Sequence, residues 1–384
     1  MPPPRPPIAS RVLLPALTSA ALLLTSCGDA APDGPPPPSE ASLAAITDKA
    51  GAPRDQLGRA IDALFDDPEG IGETRALVIM YEGEIAAERY GEGYDAETRF
   101  ISWSMAKTVT AVMIGMLVAD GKLSLDRTPP IPKWQRQGDP RGEITLRQLL
   151  HMRSGLRHTE AGDPIYRSSE VRMLFLDGRD DMAAWAEEQP LESRPGRVFE
   201  YSTATTVILA DVAARVLAPD GTPDQRRRAV DDFLRARLFE PLGMDSATPE
   251  YDASGTMIGG SLIHADARDW AKFGEFLRHK GSHRGAQLVP RGWIEFMTQS
   301  SPRAPDYGGQ TWLNVANQER GDDQVLFPEQ GPSTLFAAVG HLGQYVMVSP
   351  DQRLTVVRLG KSDDALRGPL VADLAEIVAL YPER

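Results

Sequence analysis

Ile101-Ser102-Trp103-Ser104-Met105-Ala106-Lys107-Thr108-Val109-Thr110 places a serine and a lysine three residues apart at the mouth of a strongly apolar segment. Ala106, Val109, Val112, Met113, Met116 and Leu117 recur at helical spacing, and Asp120-Gly121 supplies a stop. The spacing predicts a helix with Ser104 at or near its N-terminus and Lys107 one turn on, on the same face. A cation in the first turn opposes the helix dipole, and burial against the apolar segment lowers its pKa towards the neutral amine. A neutral amine beside a hydroxyl makes a serine nucleophilic without histidine. Backbone N–H groups at the same helix end suit the oxyanion that follows attack. Alone, S-x-x-K is a short pattern, equally compatible with a capping serine and a lysine reaching for water.

Upstream, Ala76–Met80 and Ile85–Tyr90 flank Tyr81-Glu82-Gly83-Glu84, which reads as a β-hairpin with glycine in its turn. A helix through Gln56–Phe65 precedes it. Downstream, Pro129, Pro130 and Pro132 mark a loop. Thr145 then caps a short helix, Leu146–Met152, that Ser154-Gly155 ends. Residues 160–250 read as helical and loop-rich, with helices over Met182–Glu188, Thr205–Leu217 and Gln225–Phe239. Further helices follow over Asp266–His279 and around Pro290–Met297. Three apolar runs, Leu335–Val339, Gln344–Ser349 and Leu354–Leu359, are separated by turns and suggest antiparallel strands. An amphipathic helix over Ala365–Tyr381 closes the chain.

At the other end, Arg5 and Arg11 precede a run from Val12 to Leu24 that is too short to span a bilayer. Leu24-Thr25-Ser26-Cys27 resembles the bacterial lipoprotein lipobox. The resemblance implies a signal peptide over 1–27 with lipid attached at Cys27, which accounts for the chain's single cysteine. Residues 28–50 read as a tether, since Pro35-Pro36-Pro37-Pro38 favours extended polyproline, and 51–384 as the globular domain. Gly28, rather than aspartate, follows the cysteine. The expectation is a periplasm-facing, lipid-anchored protein, on the outer membrane sooner than the inner.

Ser104-Met105-Ala106-Lys107 with its flanks resembles the serine β-lactamase superfamily, in particular the class C β-lactamase-like branch with its esterases, peptidases and nylon-oligomer hydrolases. Ile144–Leu156 is similar to the family's segment after the nucleophile helix, and Tyr201-Ser202-Thr203 falls where the family has Y-x-N. Phe239–Met244 and Gly259-Gly260-Ser261-Leu262 are further family-like landmarks. His341-Leu342-Gly343, before a strand, lies where the lactamases carry K-T-G. Each motif is weak singly, but the five that follow S-x-x-K stand in the right order, and the likeness covers roughly 70–360. The resemblance implies an α+β fold: an antiparallel β-sheet flanked by helices, with a helical insert over roughly 125–250 and Ser104 between the two parts.

By the same resemblance Ser104 is the nucleophile of an acyl-enzyme, and Lys107 is the base or the group that holds a neighbouring phenolate. Tyr201 passes protons to the leaving group and activates the deacylating water. The N–H groups of Ser104 and Gln344 form the oxyanion hole. His341, Gly343 and Thr203 face the substrate, and Tyr166 lines the pocket as a loop tyrosine does in the nylon-oligomer hydrolases. Two departures matter. Thr203 replaces the asparagine amide of Y-x-N, and His341 replaces the lysine of K-T-G by a weaker, pH-sensitive anion receptor. Both favour small esters or amides over β-lactams, with a β-lactamase or D-amino-acid peptidase as the alternative. A catalytically silent scaffold that binds cell-wall peptides is the rival of another class.

Other chemistries find little support. A net charge of −13 offers no basic face for nucleic acid, and Arg226-Arg227-Arg228 is balanced by Asp231 and Asp232. The chain has no G-x-S-x-G, no H-E-x-x-H and no Walker-type loop. His151, His158, His264, His279 and His283 lack metal-ligand spacing, so neither metal nor cofactor is expected. The only membrane contact expected is the lipid.

Overall fold

The computed structural model describes residues 34–384. The expected signal segment and Cys27 lie outside them. Folding begins earlier than the expected boundary at 51: the packed unit starts at Pro37. Helix α1 (Glu40–Ala45) is capped by Ser39. Ser39 and Ser42 both donate hydroxyls to Asp62 of helix α2 (Arg54–Asp66), and Arg89 donates to the same carboxylate. Ile46 is buried and bridges to Ala87. This anchor is polar, which is why apolar periodicity does not reveal it.

Strands β1 (Glu73–Tyr81) and β2 (Glu84–Tyr90) form the expected hairpin. Its two-residue turn puts Glu82 at φ 53 and Gly83 at φ 86, the left-handed pair that matches strand twist. The short strand β3 (Phe100–Ile101) and helix α3 (Ala106–Ala119) follow. Next come helices α4 (Leu146–Leu150), α5 (Ser169–Phe175), α6 (Met182–Glu187), α7 (Thr203–Leu217), α8 (Pro223–Leu234) and α9 (Glu240–Leu242). Among the described residues no strand interrupts this helical stretch between β3 and β4 (Thr248–Pro249), as the insert required.

Strand β5 (Ile263–Ala265), helix α10 (Ala267–Arg278), a minor hairpin of β6 (Ser282–His283) and β7 (Ala286–Gln287), and helix α11 (Arg291–Met297) lead back to the sheet. It is completed by β8 (Trp312–Leu313), β9 (Phe336–Gly340), β10 (Gln344–Ser349) and β11 (Leu354–Lys361), before helix α12 (Arg367–Ala379). The strand order is β2-β1-β11-β10-β9-β8, antiparallel throughout.

Both faces of this sheet are covered. Leu77, Ile79, Met347 and Val356 join the core of α2 and α12, and their neighbours Val78, Val346, Val348 and Val357 join that of α3 and α10. Burial on two faces explains why these strands read as continuous apolar runs rather than alternating ones. Helix α3 is buried on every side from Ala106 to Leu117, and each large side chain removed from water there stabilises the fold by about 1.5–3 kcal/mol. Gly115 permits the packing: a Cβ at that position would lie 2.3 Å from the Trp293 indole nitrogen, which donates to the Ala111 carbonyl at 3.0 Å. A helix packed on all sides is the support on which Ser104 stands. Among the described residues, no helix is long and apolar enough to cross a membrane.

Candidate active site

Ser104 lies in a 3-10 turn, Trp103–Met105, that runs straight into α3. Trp103 holds φ 44, an uncommon conformation for a bulky residue and costly enough to need firm surroundings. Its ring meets His341 edge-on at 5.4 Å. Ser102, fully buried behind the turn, donates its hydroxyl to the Ser261 carbonyl and accepts from the Ile263 N–H. These bonds tie the turn to β5 and aim Ser104 into a cleft of about 1140 Å³ between the insert and the sheet.

Lys107 lies behind the cleft wall, 1% exposed. Its Nζ is 2.9 Å from Ser104 Oγ, 2.7 Å from Thr203 Oγ1 and 2.9 Å from the Gly260 carbonyl. It also sits 4.8 Å from the centre of the Tyr201 ring. Burial pushes the Lys107 ammonium below its ordinary range, and the Glu160 and Glu170 carboxyls offset that only in part.

Tyr201 lines the cleft, stacked on Trp312 and edge-on to Tyr307. Burial pushes its phenol well above the ordinary value, and Glu160 and Glu170 add to that, while the Ser104 hydroxyl pulls the other way. Tyr201 therefore holds its proton at neutral pH. It is fitted to donate, and Lys107 is the better base.

The remaining expected positions divide. His341 and Gly343 belong to the β9–β10 turn and line the cleft. Gly343 has φ 79, and a Cβ there would lie 2.6 Å from an Arg358 guanidinium nitrogen. Gln344 does not line the cleft. It is buried, and its amide donates to the His341, Leu342 and Gly360 carbonyls, so it shapes the turn from behind. The turn residues that line the cleft with Ser104 are Gly340 to Gly343. Thr203, expected at the substrate, is fully buried at the start of α7 and turns its hydroxyl to Lys107. Tyr166 points into solvent at 59% exposure, and its neighbour Ile165 takes the place in the cleft wall.

Four residues escaped the sequence reading. Glu160 accepts from the Thr203 N–H at 2.8 Å, from the Thr203 hydroxyl, and is paired with His158 Nε2. The oxygen that accepts from the Thr203 hydroxyl, Oε1, is 3.9 Å from Lys107 Nζ. Glu170 reaches Thr203 Oγ1 at 3.4 Å, and burial together with Glu160 pushes its carboxyl up to about 7. Arg358, wholly buried in β11, donates to the Gly343 carbonyl at 2.9 Å. A charge inside an apolar strand run was the available signal for Arg358, since such a charge must be satisfied internally. The loop carrying His158 and Glu160 offers no periodicity.

A model of the Beta-lactamase family matches residues 72–379 of this chain. The chain belongs to the Beta-lactamase family. Within the family it is 24% identical over 245 residues to a 6-aminohexanoate-dimer hydrolase of Paenarthrobacter ureafaciens, covering 60% of this chain and 58% of that one. It is 28% identical over 223 residues to esterase EstB of Burkholderia gladioli, covering 50% and 53%. The chain thus spans somewhat over half the length of these relatives. Among solved structures, a family VIII carboxylesterase superposes with a TM-score of 0.61 at 17% identity, covering 84% of this chain and 96% of the other. A penicillin-binding protein homologue from Caulobacter crescentus gives 0.58 at 17% identity, covering 87% and 97%. At such identities the likeness is one of fold. Among the described residues of this Beta-lactamase-family chain, no cluster of three or more His, Cys, Asp or Glu is arranged to hold a metal ion.

Proposed function

We propose that this Beta-lactamase-family chain is a serine hydrolase that opens small esters or amides through an acyl-enzyme on Ser104. The observation that carries the reading is the buried Lys107 amine 2.9 Å from the Ser104 hydroxyl, in a setting that disfavours its charge. Neutral Lys107 takes the Ser104 proton as Oγ attacks the carbonyl carbon. The Ser104 N–H and an N–H of the Gly340–Gly343 turn stabilise the oxyanion. Tyr201 gives its proton to the departing alcohol or amine and regains one from Lys107. In the second half, water attacks the acyl carbon as these groups accept its proton, and Ser104 leaves with a proton restored.

The cleft mouth supports apolar substituents on that substrate. Ile165, Phe175 and Val198 line it while remaining 69%, 49% and 50% exposed, an apolar lip that gains by covering a hydrocarbon chain. His341 in place of lysine, and the two relatives' being an esterase and a 6-aminohexanoate-dimer hydrolase, favour an ester or a 6-aminohexanoate-type amide over a β-lactam. We place the protein at the periplasmic face of a bacterial membrane, anchored through Cys27, from the lipobox-like Leu24–Cys27 alone. The test is a parallel assay of wild type and Ser104→Ala with p-nitrophenyl acetate and butyrate, a 6-aminohexanoate dimer and nitrocefin. Ester or dimer turnover that vanishes in Ser104→Ala supports the reading. Fast nitrocefin turnover replaces it with a β-lactamase, and no turnover at all leaves a binding scaffold.

A further inference from the structure

The Lys107 amine has three neighbours, and their chemistry decides which way its lone pair points. Gly260 offers a carbonyl oxygen, which only accepts. Thr203 offers a hydroxyl, which either accepts or donates. Its proton, however, is taken by the Glu160 carboxylate, so it shows Lys107 a lone pair. Two N–H bonds of Lys107 are thereby assigned, one to Gly260 and one to Thr203. The remaining tetrahedral position faces Ser104 Oγ. In neutral Lys107 that position carries the lone pair, the orientation a base needs to take the serine proton.

We propose, building on the serine-hydrolase reading above, that Glu160 is a positioning residue that holds the Thr203 hydroxyl proton away from Lys107, leaving the oxygen to accept from it, and so aims the lysine lone pair at Ser104. The role requires Glu160 to be ionised. Burial pushes its carboxyl up, but the His158 and Thr203 bonds, joined by the Lys107 charge whenever that amine is protonated, hold it below the ordinary carboxylate range. The charged and titratable groups around this chain of bonds are Lys107 on α3, His158 and Glu160 in the loop after α4, Glu170 on α5, and Tyr201 just before α7. Glu200 is close enough to Glu160 and His158 to feel their charge. Glu170 is a weaker, second acceptor for the Thr203 hydroxyl, at 3.4 Å. The device also explains how a threonine serves where the family pattern has an asparagine. A hydroxyl whose proton is committed elsewhere offers Lys107 the same acceptor that an amide carbonyl would.

Glu160→Gln tests this with little change in size. The Thr203 N–H, 2.8 Å away, selects the glutamine oxygen for its own position. The glutamine NH2 then faces Thr203 Oγ1 and donates to it, which turns the hydroxyl proton towards Lys107 and occupies its lone pair. Two effects are expected together in the pH profile of ester kcat/KM. The plateau falls about 10²-fold, the lower end of what a positioned base contributes. The acid limb moves to lower pH, because a negative charge beside Lys107 is gone. A loss of packing alone would not shift that limb. Thr203→Val supplies the second arm: with no hydroxyl to orient, adding Glu160→Gln costs less than threefold more. Strict additivity of the two substitutions, or a Glu160→Gln plateau equal to wild type, overturns the proposal. If Glu160→Gln is poorly folded by thermal melting, Thr203→Ser and Thr203→Val decide: retention by serine with loss by valine supports the hydroxyl's role, and equal loss overturns it. Wild-type turnover that survives Ser104→Ala overturns the hydrolase reading and this proposal with it. Turnover that needs Ser104 but is indifferent to residue 160 overturns this proposal alone.

Discussion

Replacing Arg358 with methionine removes a buried cation from beneath the β9–β10 turn and leaves its acceptors unpaired. The guanidinium donates to Thr74 Oγ1 at 3.1 Å, the Gly343 carbonyl at 2.9 Å, the Glu73 carbonyl at 3.0 Å and Ser362 Oγ at 2.8 Å. No carboxylate is among these partners, and burial pushes its pKa down from the ordinary guanidinium range to about 10. A displacement of that size corresponds to roughly 3 kcal/mol of disfavoured charge, whereas four charge-assisted bonds contribute about 1.5–2 kcal/mol each. The bonds outweigh the desolvation, and Arg358→Met should destabilise the fold by about 3–5 kcal/mol, the difference between those two contributions. Arg358→Lys should cost about 2 kcal/mol, because one ammonium cannot reach Thr74, Gly343 and Glu73 at once. Urea unfolding followed by tryptophan fluorescence measures both. In the folded fraction, kcat/KM should drop as well, since Gly343 belongs to the turn that lines the cleft with Ser104. A methionine variant within about 1 kcal/mol of wild type, with unchanged kcat/KM, would refute the reasoning.

Three other outcomes are expected. The kcat/KM of wild type should rise with pH through an apparent pKa below that of a free lysine, because the folded site disfavours the Lys107 charge; a profile flat from about pH 5 to 9 counts against Lys107 as base. Glu170 binds its proton more tightly folded than unfolded, so its contribution to stability is full below the ordinary carboxyl pKa and is lost as pH rises through about 7. Glu170→Gln should therefore melt like wild type near pH 4.5 and be more stable by about 1–3 kcal/mol near pH 8, and parallel curves at the two pH values would contradict this. Finally, Ile165→Ser combined with Phe175→Ser should lower kcat/KM for p-nitrophenyl butyrate by about tenfold and leave acetate nearly untouched, and an equal loss on both substrates removes the apolar lip from the account.

The strongly periodic parts of the molecule were legible from residues alone. The α3 segment declared its helix through six apolar positions, and Glu82-Gly83 declared its hairpin through backbone demands that few residues meet. Thr145 caps its helix as its position implied, and the structure adds a reciprocal bond to Gln148. What could not be read is what depends on contacts between distant segments. Glu160 lies 43 residues from Thr203 and Gly260 lies 153 from Lys107, yet these bonds decide which atoms face Ser104. Thr203 was placed at the substrate by its position in a motif, and the structure turns its side chain inward to Lys107; Gln344 was named for its backbone N–H, and its buried side chain braces the turn from behind. Tyr166 was chosen as an aromatic in a loop, but neither its solvent-facing side chain nor Ile165's entry into the cleft is encoded in local pattern. The N-terminal helix α1 went unread because serine hydroxyls on Asp62, rather than an apolar face, hold it.

The most direct test of the central claim is mass spectrometry of the protein after brief exposure to p-nitrophenyl butyrate and acid quenching. The account predicts an added butyryl group that maps to Ser104 and is absent from Ser104→Ala. It also predicts that Lys107→Met acquires that group far more slowly, while keeping the cleft and a folded melting transition. A butyryl group found elsewhere, or turnover with Ser104 never modified at any quench time, would contradict the account.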